Sequence, residues 1–135
     1  MITIKSQKEI QLLREGGRIL AEILENIRMK VAPGITTKEL ELAAQQGIKK
    51  HGVRGSFLGY QGYPSVLCSS VNDVIVHEVP SKKILNAGDI VSLDLGIIYE
   101  GLYADAAITV GVGSIRSGAK HLIDVTRKSL EAALF

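Results

Sequence analysis

The stretch SLDLGIIYEGLYADAA, residues 92–107, places one aspartate in each arm of what reads as a hairpin, Asp94 and Asp105. Carboxylates inside apolar arms could do chemistry only if they share a face. A loop of four residues at 98–101, or of two at Tyr99-Glu100, sets Asp94 directly opposite Asp105, whereas a three-residue loop sends them to opposite faces. The even loops also gather Leu93, Leu95, Ile97, Leu102, Ala104, Ala106 and Ile108 on one apolar face. Asp94, Gly96, Tyr103, Asp105 and Thr109 then share the other. Directly opposed residues have Cβ atoms about 4.5–5.5 Å apart. Two anions that close repel, and one protonates unless a cation intervenes. Hard carboxylate oxygens suit Mg, Mn or Fe, or Zn in mixed company. The competing reading leaves both aspartates solvated on a wet face.

The elements that must position this pair are legible around it. Ser6 and Glu9 have capping-box spacing, and Ile10, Leu13, Gly17, Leu20, Leu24 and Ile27 follow every three or four residues, so a helix is expected over about 7–29. Gly17 in that stripe is expected to let another element approach closely. Pro33-Gly34 interrupts the chain, Thr36 and Glu39 repeat the capping box, and a second helix is expected to end near His51 at Gly52. The segment GSFLGYQGYP, residues 55–64, is too rich in glycine to be regular throughout. Short strands are expected at 66–71 and 74–76, broken at Asn72-Asp73, and Asn86-Ala87-Gly88-Asp89 turns into the hairpin. A third helix follows through Leu122, Val125, Leu130 and Leu134. Its pattern is still running at Phe135, an odd end for a complete domain. Helices segregated from an antiparallel sheet give an α+β fold.

Composition excludes several function classes. The 135 residues, 46% hydrophobic, suit a single domain over 1–135. The net charge of +2 comes from scattered basic residues, and aromatics make up only 4% without any tryptophan, so no nucleic-acid surface is expected. No apolar run approaches the roughly 20 residues of a membrane span. The lone Cys68 and a charged N-terminus fit a reducing cytoplasm.

LGYQGYPSVLCSSVNDVIVHEVP followed by LNAGDIVSLDLGIIYEGLYADAA closely resembles the methionine aminopeptidases of the bacterial type I class, from the first helix to Phe135. The resemblance implies half of a pita-bread (creatinase/aminopeptidase) fold, an antiparallel sheet covered by helices on one face. It implies removal of the N-terminal methionine of nascent peptides by a centre of two divalent ions (Co, Mn, Fe or Zn). In the family five side chains hold those ions: two aspartates, a histidine and two glutamates. The aspartates fall on Asp94 and Asp105. His77 falls on the substrate-contacting histidine beside the scissile amide, and Phe57, Tyr60, Tyr63 and Cys68 fall on the walls of the methionine pocket.

The resemblance covers an N-terminal half only. The remaining metal ligands lie in the other half, so the site here is incomplete and little activity is expected of this chain alone. The partner that completes it is either the missing C-terminal half or a second copy of the chain. The alternative is a non-catalytic metal- or peptide-binding half-fold, in one form a homodimer. Two residues depart from the family pattern: Glu78 stands where glycine is usual, and Phe57 where a smaller residue is common. Glu78 is expected to raise the pKa of His77 or to intrude on the site, and Phe57 to narrow the methionine slot.

Overall fold

The computed structural model describes residues 3–134. Helix α1 spans Gln7–Arg28 and α2 spans Thr37–His51. Both begin with the expected reciprocal caps. Ser6 Oγ accepts the Glu9 N–H while Glu9 Oε2 accepts the Ser6 N–H at 2.7 Å, and Thr36 and Glu39 repeat the pattern. Each cap satisfies donors that the first helical turn cannot. Gly52 closes α2 in the left-handed region, φ +66°.

Four antiparallel strands follow: β1 (Arg54–Gly55), β2 (Leu67–Val71), β3 (Ile90–Tyr99) and β4 (Leu102–Gly111). Strand β3 is central. Along one side it pairs with β1 and then β2, and along the other with β4. Among the described residues nothing pairs with the outer edge of β4. The run 74–76, expected as a strand, is loop: Ile75 and Val76 are exposed, and β-branched composition alone cannot form a strand without a partner edge.

The core lies on one face of the sheet. Val91, Leu93, Leu95 and Ile97 of β3 are fully buried beneath Ile19, Ile23 and Ile27 of α1 and Leu40 and Ala44 of α2. Each such aliphatic side chain contributes about 1.5–3 kcal/mol on burial. The close approach expected at Gly17 occurs one residue earlier. A Cβ at Gly17 would meet nothing within 4 Å, whereas one at Gly16 would lie 3.4 Å from Tyr99 Cβ, at the hairpin tip. The buried stripe of α1 includes Ile19 and Ile23, so it is rotated from the narrower line expected.

Helix α3 (Ser117–Leu134) forms as expected but buries none of its described side chains. Leu122 and Leu130 are 60% and 62% exposed. Phe135, on which the expectation of an abrupt stop rests, lies outside the described residues.

Candidate metal and peptide site

The hairpin closes through Glu100 (φ +48°) and Gly101 (φ +80°), with Tyr99 paired to Leu102. Positive φ at both central residues is the type I′ arrangement, which matches the twist of the flanking strands. The loop is two residues long but sits one position later than expected. Asp94 therefore pairs with Ala107, and Asp105 with Gly96. The aspartates are diagonal neighbours on one face, not directly opposed. Diagonal neighbours are about 7–8 Å apart, so their carboxyl groups repel less than the direct pairing implied. The even loop length preserves the shared face, as it does the apolar face of Leu93, Leu95 and Ile97 against Ala104, Ala106 and Ile108.

Cys68 of β2 pairs with Asp94 from the other side and is buried. Asp94 is thus walled in, and its Oδ1 is buried without a hydrogen-bond partner. Burial pushes the Asp94 carboxyl above its ordinary range; the Asp105 charge adds to this and His77 opposes it. A buried acceptor left in this condition wants a proton or a cation.

Beside Asp105 the chain has made room. A Cβ at Gly96 would collide with Ser56 Oγ and lie 2.8 Å from Phe57 Cε1 and 2.9 Å from Asp105 Oδ2. Ser56 is held there because its N–H donates to the Gly96 carbonyl at 2.9 Å, extending the β1 pairing. The orphaned oxygen and the glycine-lined opening both fit a divalent ion held by Asp94 and Asp105. Among the described residues no cluster of three or more His, Cys, Asp or Glu side chains could complete its coordination.

A cavity of about 600 Å³ adjoins this face, lined by Phe57, Tyr60, Tyr63, Cys68, His77 and Tyr103 among others. All five side chains assigned to a substrate slot therefore border one space. Phe57 and Tyr63 meet edge-to-face, ring centroids 6.5 Å apart at 88°, a favoured aromatic geometry. The Tyr63 hydroxyl donates to the carbonyls of Leu67 (3.1 Å) and Glu78 (3.3 Å). Burial pushes the Tyr63 phenol well up. Burial also pushes the Cys68 thiol up, and the charges of Asp94 and Asp105 add to this. Neutral phenol and neutral thiol make an apolar wall suited to a soft side chain such as a thioether. Tyr60 is largely exposed at the rim, and His77 is exposed with φ +62°.

Three residues to which sequence reasoning gave no role help to build the site, although it did set Gly96 on the face of the two aspartates. Gly96 and Ser56 have been described. The third, Glu41, is completely buried on α2. Its Oε1 accepts the Val66 N–H (3.1 Å) and Gln45 Nε2 (2.8 Å), and its Oε2 accepts the Leu67 N–H (3.0 Å). It fixes the start of β2, and with it Cys68, to the helix layer. The spacing Thr37, Glu41, Gln45 is a polar line beside the apolar stripe of α2, the one signal that could have flagged it.

Residues 11–134 match the model of Metallopeptidase family M24. The chain is 46% identical over 129 residues to methionine aminopeptidase of Clostridium perfringens, covering 96% of this chain and 52% of that protein. It superposes on the crystal structure of methionine aminopeptidase from Thermotoga maritima with a TM-score of 0.95 at 42% identity, covering 98% of this chain and 54% of that one. Aminopeptidase P of Escherichia coli gives a TM-score of 0.80 at 25% identity, covering 94% of this chain and 28% of that one. The chain thus spans about half the length of the methionine aminopeptidases it matches. Its fold is half of a pita-bread fold, with the sheet covered by helices on one face.

Proposed function

The chain belongs to metallopeptidase family M24, and on that premise we propose that it supplies the two-aspartate and methionine-slot half of a metal-dependent aminopeptidase. The observation that carries this reading is the buried, unpartnered Asp94 Oδ1 on the same sheet face as Asp105, beside a cavity walled by Tyr63, Cys68 and His77.

Asp94 and Asp105 are the residues that would hold divalent ions, and the chemistry such ions supply when bound is water activation and carbonyl polarisation. Cys68, Phe57 and Tyr63 exclude water and receive the side chain of an N-terminal methionine. Phe57 fills one end, leaning over Gly96, and so narrows the slot. His77, at the open side, donates to or accepts from the amide being cleaved. Two carboxylates are too few for an efficient hydrolytic centre. The chain by itself therefore binds metal weakly and releases little methionine.

The test pairs metal titration with a cleavage assay on a Met-Ala peptide. We expect Mn²⁺ or Co²⁺ binding that Asp94→Asn and Asp105→Asn abolish, no turnover by the 135-residue chain alone, and turnover when a C-terminal half from a relative is supplied. Efficient metal-dependent release of methionine by the chain alone would refute the half-site reading. Binding indifferent to both substitutions would refute the metal assignment.

A second reading is a metal-binding homodimer. It is favoured by the outer edge of β4, unpaired among the described residues, together with an α3 none of whose described residues is buried. Sedimentation at tens of micromolar protein, where a dimer of about micromolar Kd would persist, would exclude it by showing monomer only.

A further inference from the structure

Glu78 does not line the cavity, yet five hydrogen bonds converge on it. Its N–H donates to Ser70 Oγ at 3.2 Å. Its carbonyl accepts the Ser69 N–H at 3.0 Å and the Tyr63 hydroxyl. The carboxylate, expected to act on His77 or to intrude on the site, is instead turned to the outer edge of β2. Oε2 accepts the Val71 N–H at 2.8 Å, and Oε1 pairs with Lys83 Nζ at 3.0 Å.

The segment that Glu78 terminates is anchored at its start, where Asn72 exchanges hydrogen bonds with Ile90 and donates to Asp89, and the Val74 N–H donates to the Val71 carbonyl. Residues 75–77 make no hydrogen bond among the described residues. Residues 72–77 are all exposed, and His77 sits at φ +62°, a conformation unfavourable for any residue with a Cβ. Such a backbone persists only where its surroundings over-determine it. Here that constraint is applied one residue downstream, through Glu78.

We propose that Glu78 is a positioning residue for His77: clamped between the Val71 N–H and Lys83, its carboxylate locks the strained turn so that the imidazole faces the cavity. The inference rests on the reading of the cavity as a peptide slot beside a metal site. A glycine at position 78 would keep the three backbone bonds and lose both carboxylate bonds, so this chain holds its histidine by a latch of its own.

The test is nuclear magnetic resonance on the full chain, with Glu78→Ala, Glu78→Gln and Lys83→Met. Two quantities are read: the backbone order parameter of His77, and the broadening of its ring protons by added Mn²⁺. In Glu78→Ala the order parameter should fall from about 0.85 to below about 0.6, with Mn²⁺ broadening reduced severalfold. Glu78→Gln, which keeps an acceptor for Val71, should restore most of both. Wild-type values of both in Glu78→Ala would overturn the latch. Should that variant not fold, Lys83→Met must still halve the broadening, and no change would overturn it equally. If Mn²⁺ broadens nothing in the wild type, the metal reading falls, while the order parameter still decides for or against the latch.

Discussion

Substituting Gly96 by alanine adds a single methyl group where the structure leaves none to spare. The new Cβ would collide with Ser56 Oγ, lie 2.8 Å from Phe57 Cε1 and 2.9 Å from Asp105 Oδ2. The serine hydroxyl can rotate away. The phenyl ring cannot move freely, because it packs edge-on against Tyr63. Asp105 must then retreat by roughly half an ångström to reach an ordinary carbon contact, against a tolerance of roughly 0.2 Å in a metal–ligand distance. Overpacking of this kind costs about 1–3 kcal/mol. Removing a glycine from a strand interior offsets about 0.5–1 kcal/mol of that. The net loss centres on about 1 kcal/mol within a span of about 0–2.5 kcal/mol, a melting temperature lower by roughly 4 °C at the centre. Mn²⁺ affinity by calorimetric titration should fall at least tenfold. The control is Gly17→Ala, where a Cβ meets nothing within 4 Å; it should gain about 1 kcal/mol from helix propensity and leave Mn²⁺ binding alone. A Gly96→Ala chain that binds Mn²⁺ like the wild type and melts at the same temperature would refute the reasoning.

Glu41→Ala leaves two buried N–H donors, of Val66 and Leu67, without acceptors. A loss of about 2–4 kcal/mol should appear in urea unfolding, with Glu41→Gln recovering part of it. Asp94 carries a raised pKa, through burial first and Asp105 second, so the folded chain binds more protons than the unfolded one above about pH 4. With divalent ions chelated, this contribution to stability is full below about pH 4 and is lost as pH rises through the folded value. Asp94→Asn should flatten that decline and be the more stable protein at pH 7, as judged by urea midpoints between pH 4 and 7. His77→Gly should relieve the left-handed backbone and raise stability by about 0.5–1 kcal/mol. His77→Ala, which keeps the Cβ, should leave the urea midpoint near the wild-type value.

Both capped helices were legible because a serine or threonine followed three residues later by glutamate before an apolar run is a local, self-contained signal. The hairpin was legible in parity but not in register. Glu100 occupies a positive-φ position that sequence statistics reserve for Gly, Asn or Asp, so the turn was placed one residue early and Asp94 was paired with Asp105 instead of Ala107. Parity alone decided the shared face, and parity survived. The run Val74-Ile75-Val76 has strand composition, yet the edge it would need is already taken by Glu78, which accepts the N–H groups of Val71 and Ser69 seven and nine residues before it, a pairing that composition does not encode. Glu41 was missed because the backbone N–H groups it accepts lie 25 and 26 positions away, and its sole local trace is the polar line of Thr37, Glu41 and Gln45.

The two long edges of this sheet differ in what they offer a neighbour. On β2 the outward N–H groups of Leu67, Ser69 and Val71 are already taken, by Glu41, by the Glu78 carbonyl and by the Glu78 carboxylate. On β4, among the described residues, no such plugs exist along ten residues. A subunit with adhesive ribbon on one flank alone can satisfy it once, in a closed pair, and has nothing left with which to grow a fibre. Any self-association should therefore saturate at two copies as concentration rises.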